Sequence, residues 1–232
     1  MNDQYHYLQR AILNNLLFTD QLSFSKLKPK NIEGSLFTFH LNKLIEDGLI
    51  VKNKNGQYSL SDKGKNIANT HDKESNQPNK QAKHSAVFCA TKNNQSEFLL
   101  YTRLKNPFFG CQGFPTGKVK YGESILETAK RELFEETNLI GQPQLKAIRH
   151  FRVYYKATNI ILEDKVMYIC EVKDPSGELK SNLEGDFNWV PKDKINSFVT
   201  NPLEEFQEIL EILCSEYSVE FFKEVNHYTN KF

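Results

Sequence analysis

The chain has 232 residues, of which 39% are hydrophobic and 25% are charged, and its formal net charge is +1. This balance is typical of globular proteins, and no apolar run approaches the roughly 18 residues that a membrane-spanning helix needs. The N-terminal residues lack the basic cluster, apolar core and small-residue cleavage site of a secretion signal, so we expect a cytoplasmic protein without a membrane partner.

A polar segment at residues 69–83 divides the chain. Its sequence, NTHDKESNQPNKQAK, contains one alanine as its only apolar residue, so it cannot bury enough surface to offset the entropy cost of ordering. We interpret it as a linker between domains at residues 1–68 and 84–200, with a C-terminal helical segment at residues 201–232 that packs on the second domain. Residues 1–83 carry 12 Lys and Arg against 8 Asp and Glu, a net charge of +4, which makes this part the better candidate for binding a polyanion.

The first domain is predicted to contain three helices followed by a hairpin. Apolar residues repeat every three to four positions in the first and third helices, and Gly48 ends the third in the manner of a left-handed cap. The dipeptide Asn55-Gly56 separates two β-capable runs, which indicates a tight hairpin. The predicted elements are helices at residues 5–18, 24–27 and 33–47 and strands at residues 49–52 and 57–60.

This order, and the sequence SLFTFHLNKLIEDGLIVKNKNGQYSLSDKGKNIA, resembles a winged helix-turn-helix domain of bacterial regulators over about residues 5–68. The resemblance implies that the helix at residues 33–47 enters the major groove of double-stranded DNA and that lysines of the hairpin lie near phosphates. The implied DNA-binding residues are Ser35, Thr38, Asn42, Lys43, Lys52 and Lys54. The alternative is that this domain only packs against the rest of the protein or mediates dimerisation. Such regulators frequently pair with two-fold symmetry, which would make the protein a homodimer.

The second domain alternates β-rich runs with one strongly helical segment, which indicates a layered α/β or α+β fold. Strands are predicted at residues 85–90, 98–103, 150–155 and 166–172, and the helical segment lies at residues 124–137. The C-terminal segment is predicted to be helical from residue 202 to about residue 216, with a further helix after it.

The most specific motif lies between Gly117 and Leu139 and reads GKVKYGESILETAKRELFEETNL. Gly117 is followed after five residues by Glu123, and after seven more residues by the run Arg-Glu-Leu-Phe-Glu-Glu that begins at Arg131. A match at this many fixed positions over so long a span rarely arises by chance. The carboxylates of the run are those of Glu132, Glu135 and Glu136.

The residues within this motif also predict a helix that carries the acidic run. Ser124 and Glu127 form a Ser-x-x-Glu capping box, which begins a helix immediately after the loop. The three carboxylates then lie at i, i+3 and i+4, within an arc of roughly 100°, where they repel one another. A hard divalent cation such as Mg²⁺ is the simplest way to relieve that repulsion. The alternative is an acidic surface helix in which Arg131 pairs with Glu135 or Glu127.

The motif resembles the Nudix box of hydrolases that act on phosphoanhydride bonds. The resemblance implies an α/β/α sandwich with a mixed sheet, Mg²⁺ or Mn²⁺ as the cofactor, and a nucleoside diphosphate linked to another group as the substrate. One position departs from the family pattern, because Asn138 stands where glycine is usual. Asparagine is the commonest other residue in the left-handed conformation that ends such a helix.

Matching positions imply roles for individual residues. The implied metal ligands are Glu132, Glu135, Glu136 and the backbone carbonyl of Thr116, which lies in the loop before the box. Glu123 matches a supporting acid and Arg131 the residue that orients a carboxylate. The family takes its general base from the box or from a later loop, where this chain offers Glu184. Glu184 could equally be a solvated loop residue, since reach to the attacking water is a geometric question.

Two functions remain open at this point. The first is hydrolysis of a nucleotide-derived small molecule, and the intact set of carboxylates favours it. The second is transcription regulation, in which the Nudix domain senses a nucleotide metabolite and tunes DNA binding through the first domain. Four aromatic residues are candidates either to stack on a base or to fill the core, and core packing is the commoner role. They are Phe108, Phe109, Tyr154 and Tyr155.

Overall fold

The computed structural model describes residues 5–70, 72, 80–215 and 220–230. The chain separates into two compact units, Met1–Lys80 and Gln81–Phe232. Most of the predicted linker, residues 71 and 73–79, lies outside the described residues. Among the helices that the structure describes, none has both the length and the apolar character to cross a membrane.

The first unit combines four helices with a small antiparallel sheet. Its helices are α1 (Tyr7–Leu17), α2 (Phe24–Leu27), α3 (Gly34–Glu46) and α4 (Asp62–Ala68), and its strands are β1 (Leu22–Ser23), β2 (Ile50–Lys52) and β3 (Gln57–Leu60). The strand order is β1-β3-β2. The core is formed by the apolar faces of α1 and α3, which contribute Ile12, Leu13, Leu16, Phe37, Leu41 and Leu44. The predicted helices and hairpin are all present.

Two elements of this unit were not predicted, β1 and α4. The helix α4 has only Ile67 and Ala68 as apolar residues, so it shows no helical repeat. It begins instead at a cap, because the Ser61 hydroxyl accepts a hydrogen bond from the backbone N–H of Gly64 at 3.0 Å.

The second unit is built on an eight-stranded mixed sheet with helices on both faces. The strands are β4 (Lys83–Lys92), β5 (Glu97–Arg103), β6 (Gln112–Gly113), β7 (Thr116–Lys118), β8 (Pro143–Tyr155), β9 (Ile161–Lys173), β10 (Gly185–Pro191) and β11 (Phe222–Thr229). The helices are α5 (Ile125–Thr137), α6 (Ile195–Phe198) and α7 (Phe206–Cys214), and a short 3₁₀ turn (Lys192–Lys194) precedes α6. The main path is β10-β5-β4-β9-β8-β11, in which β4 pairs with β9 and β8 with β11 in parallel.

The sheet is buried on both faces by alternating side chains. On β4, Val87 and Cys89 pack with Phe206 and Ile209 of α7, whereas Phe88 lies in the cluster on the α5 side. Successive side chains of a strand point to opposite faces, so one strand serves both cores. This three-layer arrangement confirms the predicted α/β/α sandwich with a mixed sheet.

The predicted second C-terminal helix is wrong. Residues Phe222–Thr229 form β11, which pairs in parallel with β8 from Ile148 to Tyr155. The outer edge of β8 offers unpaired backbone groups, and this long-range pairing decides the conformation of the segment. The helix before it, α7, begins at Phe206 and not at residue 202, because residues 201–203 pair with Gln112 of β6 through backbone hydrogen bonds.

Candidate active site

Helix α5 begins and ends at the residues that the motif predicts. The backbone N–H of Glu127 donates to the Ser124 hydroxyl at 3.3 Å, and the Glu127 carboxylate accepts from the backbone N–H of Ser124 at 2.9 Å. At the other end Asn138 adopts a left-handed conformation with φ of 59°, and its N–H donates to the carbonyl of Phe134. Asparagine therefore performs the helix-ending role of the usual glycine.

Gly117 is required because the side chain of Glu132 packs directly against its backbone. Strand β7 pairs with β4 and places Gly117 opposite Ala86, beneath α5. A Cβ atom at this position would overlap Cγ and Cδ of Glu132. The glycine of the motif thus lets the first carboxylate of the acidic run lie against the sheet.

Arg131 lies at the centre of the acidic residues. Its guanidinium donates to both oxygens of Glu123, at 2.7 and 2.8 Å, and to Glu132 at 2.7 Å and Glu135 at 2.9 Å. It also reaches the backbone carbonyl of Lys118 at 3.2 Å. One cation therefore neutralises part of the charge of three carboxylates. The pairing of Arg131 with Glu135, which was predicted for an ordinary acidic surface helix, is present in addition to the contacts of Arg131 with Glu123 and Glu132.

Glu123 is held in its ionised form. Hydrogen bonds from Arg131, helped by those from the Thr128 hydroxyl and the backbone N–H of Lys120, lower the pKa of Glu123 to about 2, although partial burial opposes the shift. The hydrogen bonds of Arg131 with Glu123, and those with Glu132 and Glu135, raise the pKa of Arg131 although burial opposes the shift. Glu123 is thus a fixed acceptor that orients Arg131, which fits the supporting role implied for it.

The carboxylates of α5 line a cleft of about 780 Å³ in the second unit. Thr116, Glu184 and the three glutamates of the run all border it. Glu184 forms an ion pair with Lys105, and Lys120 lies 3.8 Å from Glu135. The structure therefore brings most of the predicted catalytic and metal-binding residues around one cavity, namely Thr116, Arg131, Glu132, Glu135, Glu136 and Glu184. Glu123 does not border this cleft and contacts it only through Arg131.

Basic side chains form much of the remaining wall. Arg103, Lys105, Lys118 and Lys120 all border the cleft. Burial lowers the pKa of Lys105, and the nearby cations Arg103 and Lys118 lower it further. A cluster of cations that disfavours the charge on Lys105 is suited to receive an anion such as a diphosphate.

A buried ion network also borders the cleft. The ammonium of Lys165 on β9 lies 3.1 Å from Glu163 and 3.0 Å from Glu205. Burial disfavours the charge on Lys165, but Glu205 and Glu163 outweigh it and raise the pKa of Lys165, while Lys165 lowers the pKa of the buried Glu205. These residues were not predicted. The charged run at residues 163–165 is not typical of a strand, so the predicted strand began at residue 166 and the first half of β9 was missed.

The carboxylate oxygens of the acidic run are suitable ligands for a hard divalent cation, but their side chains are not arranged to bind one together. Among the residues that the structure describes, no three His, Cys, Asp or Glu side chains are already placed to hold a metal ion. The reason is that Arg131 binds Glu132 and Glu135, and Asn182 binds Glu136. Carboxylate oxygens are what Mg²⁺ prefers. The side chain of Glu135 is half-exposed, so an entering cation can reach it.

The predicted DNA-binding residues lie in the first unit. Ser35, Thr38, Asn42 and Lys43 are exposed on α3, and Lys52 and Lys54 are exposed on the β2–β3 hairpin. Two of the lysines have partners, since Lys43 lies 3.4 Å from Asp47 and the Lys52 ammonium lies 5.4 Å from the ring centroid of Tyr58.

The four aromatic candidates occupy different surroundings. Phe108 is half-buried, packs on the α5-side core and borders the cleft. Phe109 is exposed, and Tyr154 stacks on Tyr228 of β11 with ring centroids 5.2 Å apart. Tyr155, at the end of β8, is exposed. Only Phe108 of these four is therefore placed to contact a molecule in the cleft.

Comparisons with known proteins agree with this fold and site. A family model described as the NUDIX domain matches residues 82–210, which is more than half of the chain. The chain belongs to the Nudix family, as the motif between Gly117 and Leu139 predicts.

Individual relatives are more distant. A segment of 53 residues is 43% identical to an ADP-ribose pyrophosphatase of Methanocaldococcus jannaschii, and this alignment covers 23% of the chain and 30% of that relative. The crystal structure of a MutT protein from Bacillus halodurans is similar with a TM-score of 0.53 and 23% identity, over 65% of this chain and 93% of that one. The Nudix domain of Shewanella oneidensis NrtR, solved with ADP ribose, has a TM-score of 0.48 and 15% identity, over 64% of this chain and 94% of that one. The MutT likeness supports the fold of the second unit.

Proposed function

We propose that the protein is a Mg²⁺- or Mn²⁺-dependent hydrolase that cleaves the phosphoanhydride bond of a nucleoside diphosphate linked to another group. The observation that carries the proposal is the cleft in which Glu132, Glu135 and Glu136 face a wall of lysines and arginines. The name of the Methanocaldococcus jannaschii relative makes ADP-ribose the first compound to test.

In this proposal the protein supplies ligands, orientation and counter-charge. Glu132, Glu135, Glu136 and the backbone carbonyl of Thr116 would hold the metal, which when bound neutralises phosphate charge and lowers the pKa of a water molecule. Arg131, fixed by Glu123, holds the carboxylates of Glu132 and Glu135. Basic residues of the opposite wall bind the diphosphate and align its bridging bond.

Glu184 is proposed as the general base. Its carboxylate is half-exposed in the cleft, where it forms an ion pair with Lys105, and in this position it would accept a proton from the attacking water. A diphosphate that draws Lys105 toward its own oxygens would release Glu184 for that role. The leaving group is a nucleoside monophosphate or the phosphorylated second half of the substrate.

The test is hydrolysis by the full chain of a panel of nucleoside diphosphate compounds, with ADP-ribose, a nucleotide sugar, a dinucleotide and a nucleoside triphosphate. We expect release of a nucleoside monophosphate with Mg²⁺ or Mn²⁺, and no release when EDTA replaces the metal, as resolved by ion-exchange chromatography. Equal turnover with and without metal, or no hydrolysis of any compound, would contradict the proposal.

A second candidate function is metabolite-sensing transcription regulation. The observation that favours it is the joint exposure of Ser35, Thr38 and Asn42 on one helix, with Lys52 and Lys54 exposed on the hairpin of the same unit. Exposed polar side chains on a helix suit base reading, and exposed lysines suit phosphate contacts. Hydrolysis and DNA binding can coexist in one chain.

We expect the full chain to bind the DNA upstream of its own coding region more tightly than a shuffled duplex, over a salt series. The variant Lys52→Ala/Lys54→Ala should reduce the slope of log affinity against log salt by about 0.9 for each phosphate that the two ammonium groups neutralise in the wild-type complex. Asn42→Ala should instead weaken binding to the upstream site while leaving the shuffled duplex unaffected. Weak binding of both duplexes that does not change with salt would contradict DNA binding. The protein would then be only an enzyme, or the first unit a dimerisation module.

A further inference from the structure

Asn182 lies in the loop before β10 and connects two parts of the candidate active site. Its side-chain N–H donates a hydrogen bond of 2.8 Å to Oε2 of Glu136 and one of 3.1 Å to the backbone carbonyl of Glu136. Its side-chain oxygen accepts from the backbone N–H of Glu184 at 2.7 Å and of Gly185 at 3.1 Å. One side chain therefore ties the end of α5 to the loop that carries Glu184.

These four contacts require a carboxamide. The backbone carbonyl of Glu136 can only be met by a donor, and the N–H groups of Glu184 and Gly185 only by an acceptor, so the partners fix the orientation of the amide. Aspartate at this position would keep the acceptor but would place a second negative charge beside Glu136. Alanine would remove both the donor and the acceptor of the side chain, and with them the hydrogen bonds to Glu136, Glu184 and Gly185.

Backbone contacts also hold this part of the loop, because the N–H of Leu104 donates to the carbonyl of Glu184 at 2.9 Å and the N–H of Lys180 donates to the carbonyl of Thr137 at 3.0 Å. Leu183 is almost fully exposed, and the side chain of Glu184 is half-exposed. A segment with so little buried surface depends on its hydrogen bonds for its position. Among these hydrogen bonds, those of Asn182 join the Glu184 backbone directly to Glu136 of α5.

We propose that Asn182 is a positioning residue that aligns the carboxylate of Glu136 with the loop of Glu184. This inference rests on the proposed function, because it requires that Glu136 binds a cation and that Glu184 acts on the attacking water. Partners that orient metal-binding side chains typically contribute about 10- to 100-fold to metal affinity or activity. Asn182 is neither a metal ligand nor a proton acceptor in this scheme.

The test compares Asn182→Asp and Asn182→Ala with the control Ser181→Ala. Ser181 makes two side-chain hydrogen bonds in the same loop, with Phe187 and Asp186, but none with Glu136 or Glu184. Two quantities are measured for each variant: the affinity for Mn²⁺ alone by titration calorimetry, and kcat and KM on the compound that the wild-type protein hydrolyses fastest. Circular dichroism identifies folded protein before either measurement.

We expect Asn182→Ala to lower Mn²⁺ affinity and kcat by about 10- to 100-fold with little change in KM, and Ser181→Ala to stay within about two-fold of wild type. Asn182→Asp should lower kcat without a comparable loss of Mn²⁺ affinity, because its added charge attracts the cation. In a double-mutant cycle, Asn182→Ala should add little to the loss caused by Glu136→Gln, because both changes disable one unit. If Glu136→Gln is defective but Asn182→Ala behaves as Ser181→Ala does, the positioning role is refuted and the proposed function stands. If the wild-type protein neither takes up Mn²⁺ nor hydrolyses any compound, both proposals fail.

Discussion

Glu135→Gln and Glu136→Gln should each remove nearly all metal-dependent hydrolysis while leaving the protein folded. The amide of glutamine keeps the size of the side chain and can still accept the hydrogen bond from Arg131 or Asn182, but it lacks the negative charge that binds a cation. A bound metal contributes several kcal/mol to such a transition state, so we expect kcat/KM to fall by about 1000-fold or more. Steady-state rates over a Mg²⁺ series measure the loss.

The matched control for these variants is Glu211→Gln. Glu211 is an exposed helical glutamate on α7, and its carboxylate accepts a hydrogen bond from Gln207 at 3.0 Å. It does not border the cleft, so Glu211→Gln should keep wild-type turnover. Wild-type activity in Glu135→Gln and Glu136→Gln would show that these carboxylates are only an acidic surface, and the proposed metal site would have to be abandoned.

Gly117→Ala is expected to damage both stability and turnover. The added methyl group would overlap the side chain of Glu132, and overpacking of this kind costs about 1–3 kcal/mol of the free energy of unfolding. Because Glu132 must move to relieve the overlap, we expect kcat to fall by about 100-fold, the usual effect of displacing a catalytic group by about 1 Å. Urea unfolding and steady-state kinetics measure the two effects separately.

Gly141→Ala provides the comparison for Gly117→Ala. A Cβ atom at Gly141 would overlap Cγ1 of Val172, in the core on the α5 side of the sheet, and would not contact the acidic residues. This variant should lose a similar amount of stability but retain its kcat per folded molecule. Equal losses of kcat in both variants would mean that Gly117 matters for folding alone.

The box could be predicted because its structure is local. The cap at Ser124, the left-handed residue Asn138 and the face shared by the carboxylates all follow from spacings of a few residues. The β-rich runs around one helical segment likewise predicted a layered α/β or α+β fold, and the resemblance to the Nudix box implied the mixed sheet. Short-range patterns therefore sufficed for the fold class and for the acidic helix.

The rest of the site depends on contacts between distant parts of the chain. Asn182 is 46 residues from Glu136, and Lys165 is 40 residues from Glu205. An asparagine in a loop and a lysine in a strand carry no local pattern that distinguishes them from solvated residues. The error at β11 has the same origin, because its pairing with β8 joins segments more than 70 residues apart. Only the three-dimensional arrangement shows such partners.

The contacts of the Arg131 guanidinium with the acidic residues affect the stability of the protein when no cation is bound. Arg131 already balances much of the local negative charge, so electrostatic repulsion does not force α5 apart when no ion is bound. Structural zinc domains differ, because they unfold when stripped of their ion. Under the proposed function, a Nudix protein with this internal counter-ion would stay folded with or without the cation, so the metal concentration would set its turnover and not its free energy of unfolding.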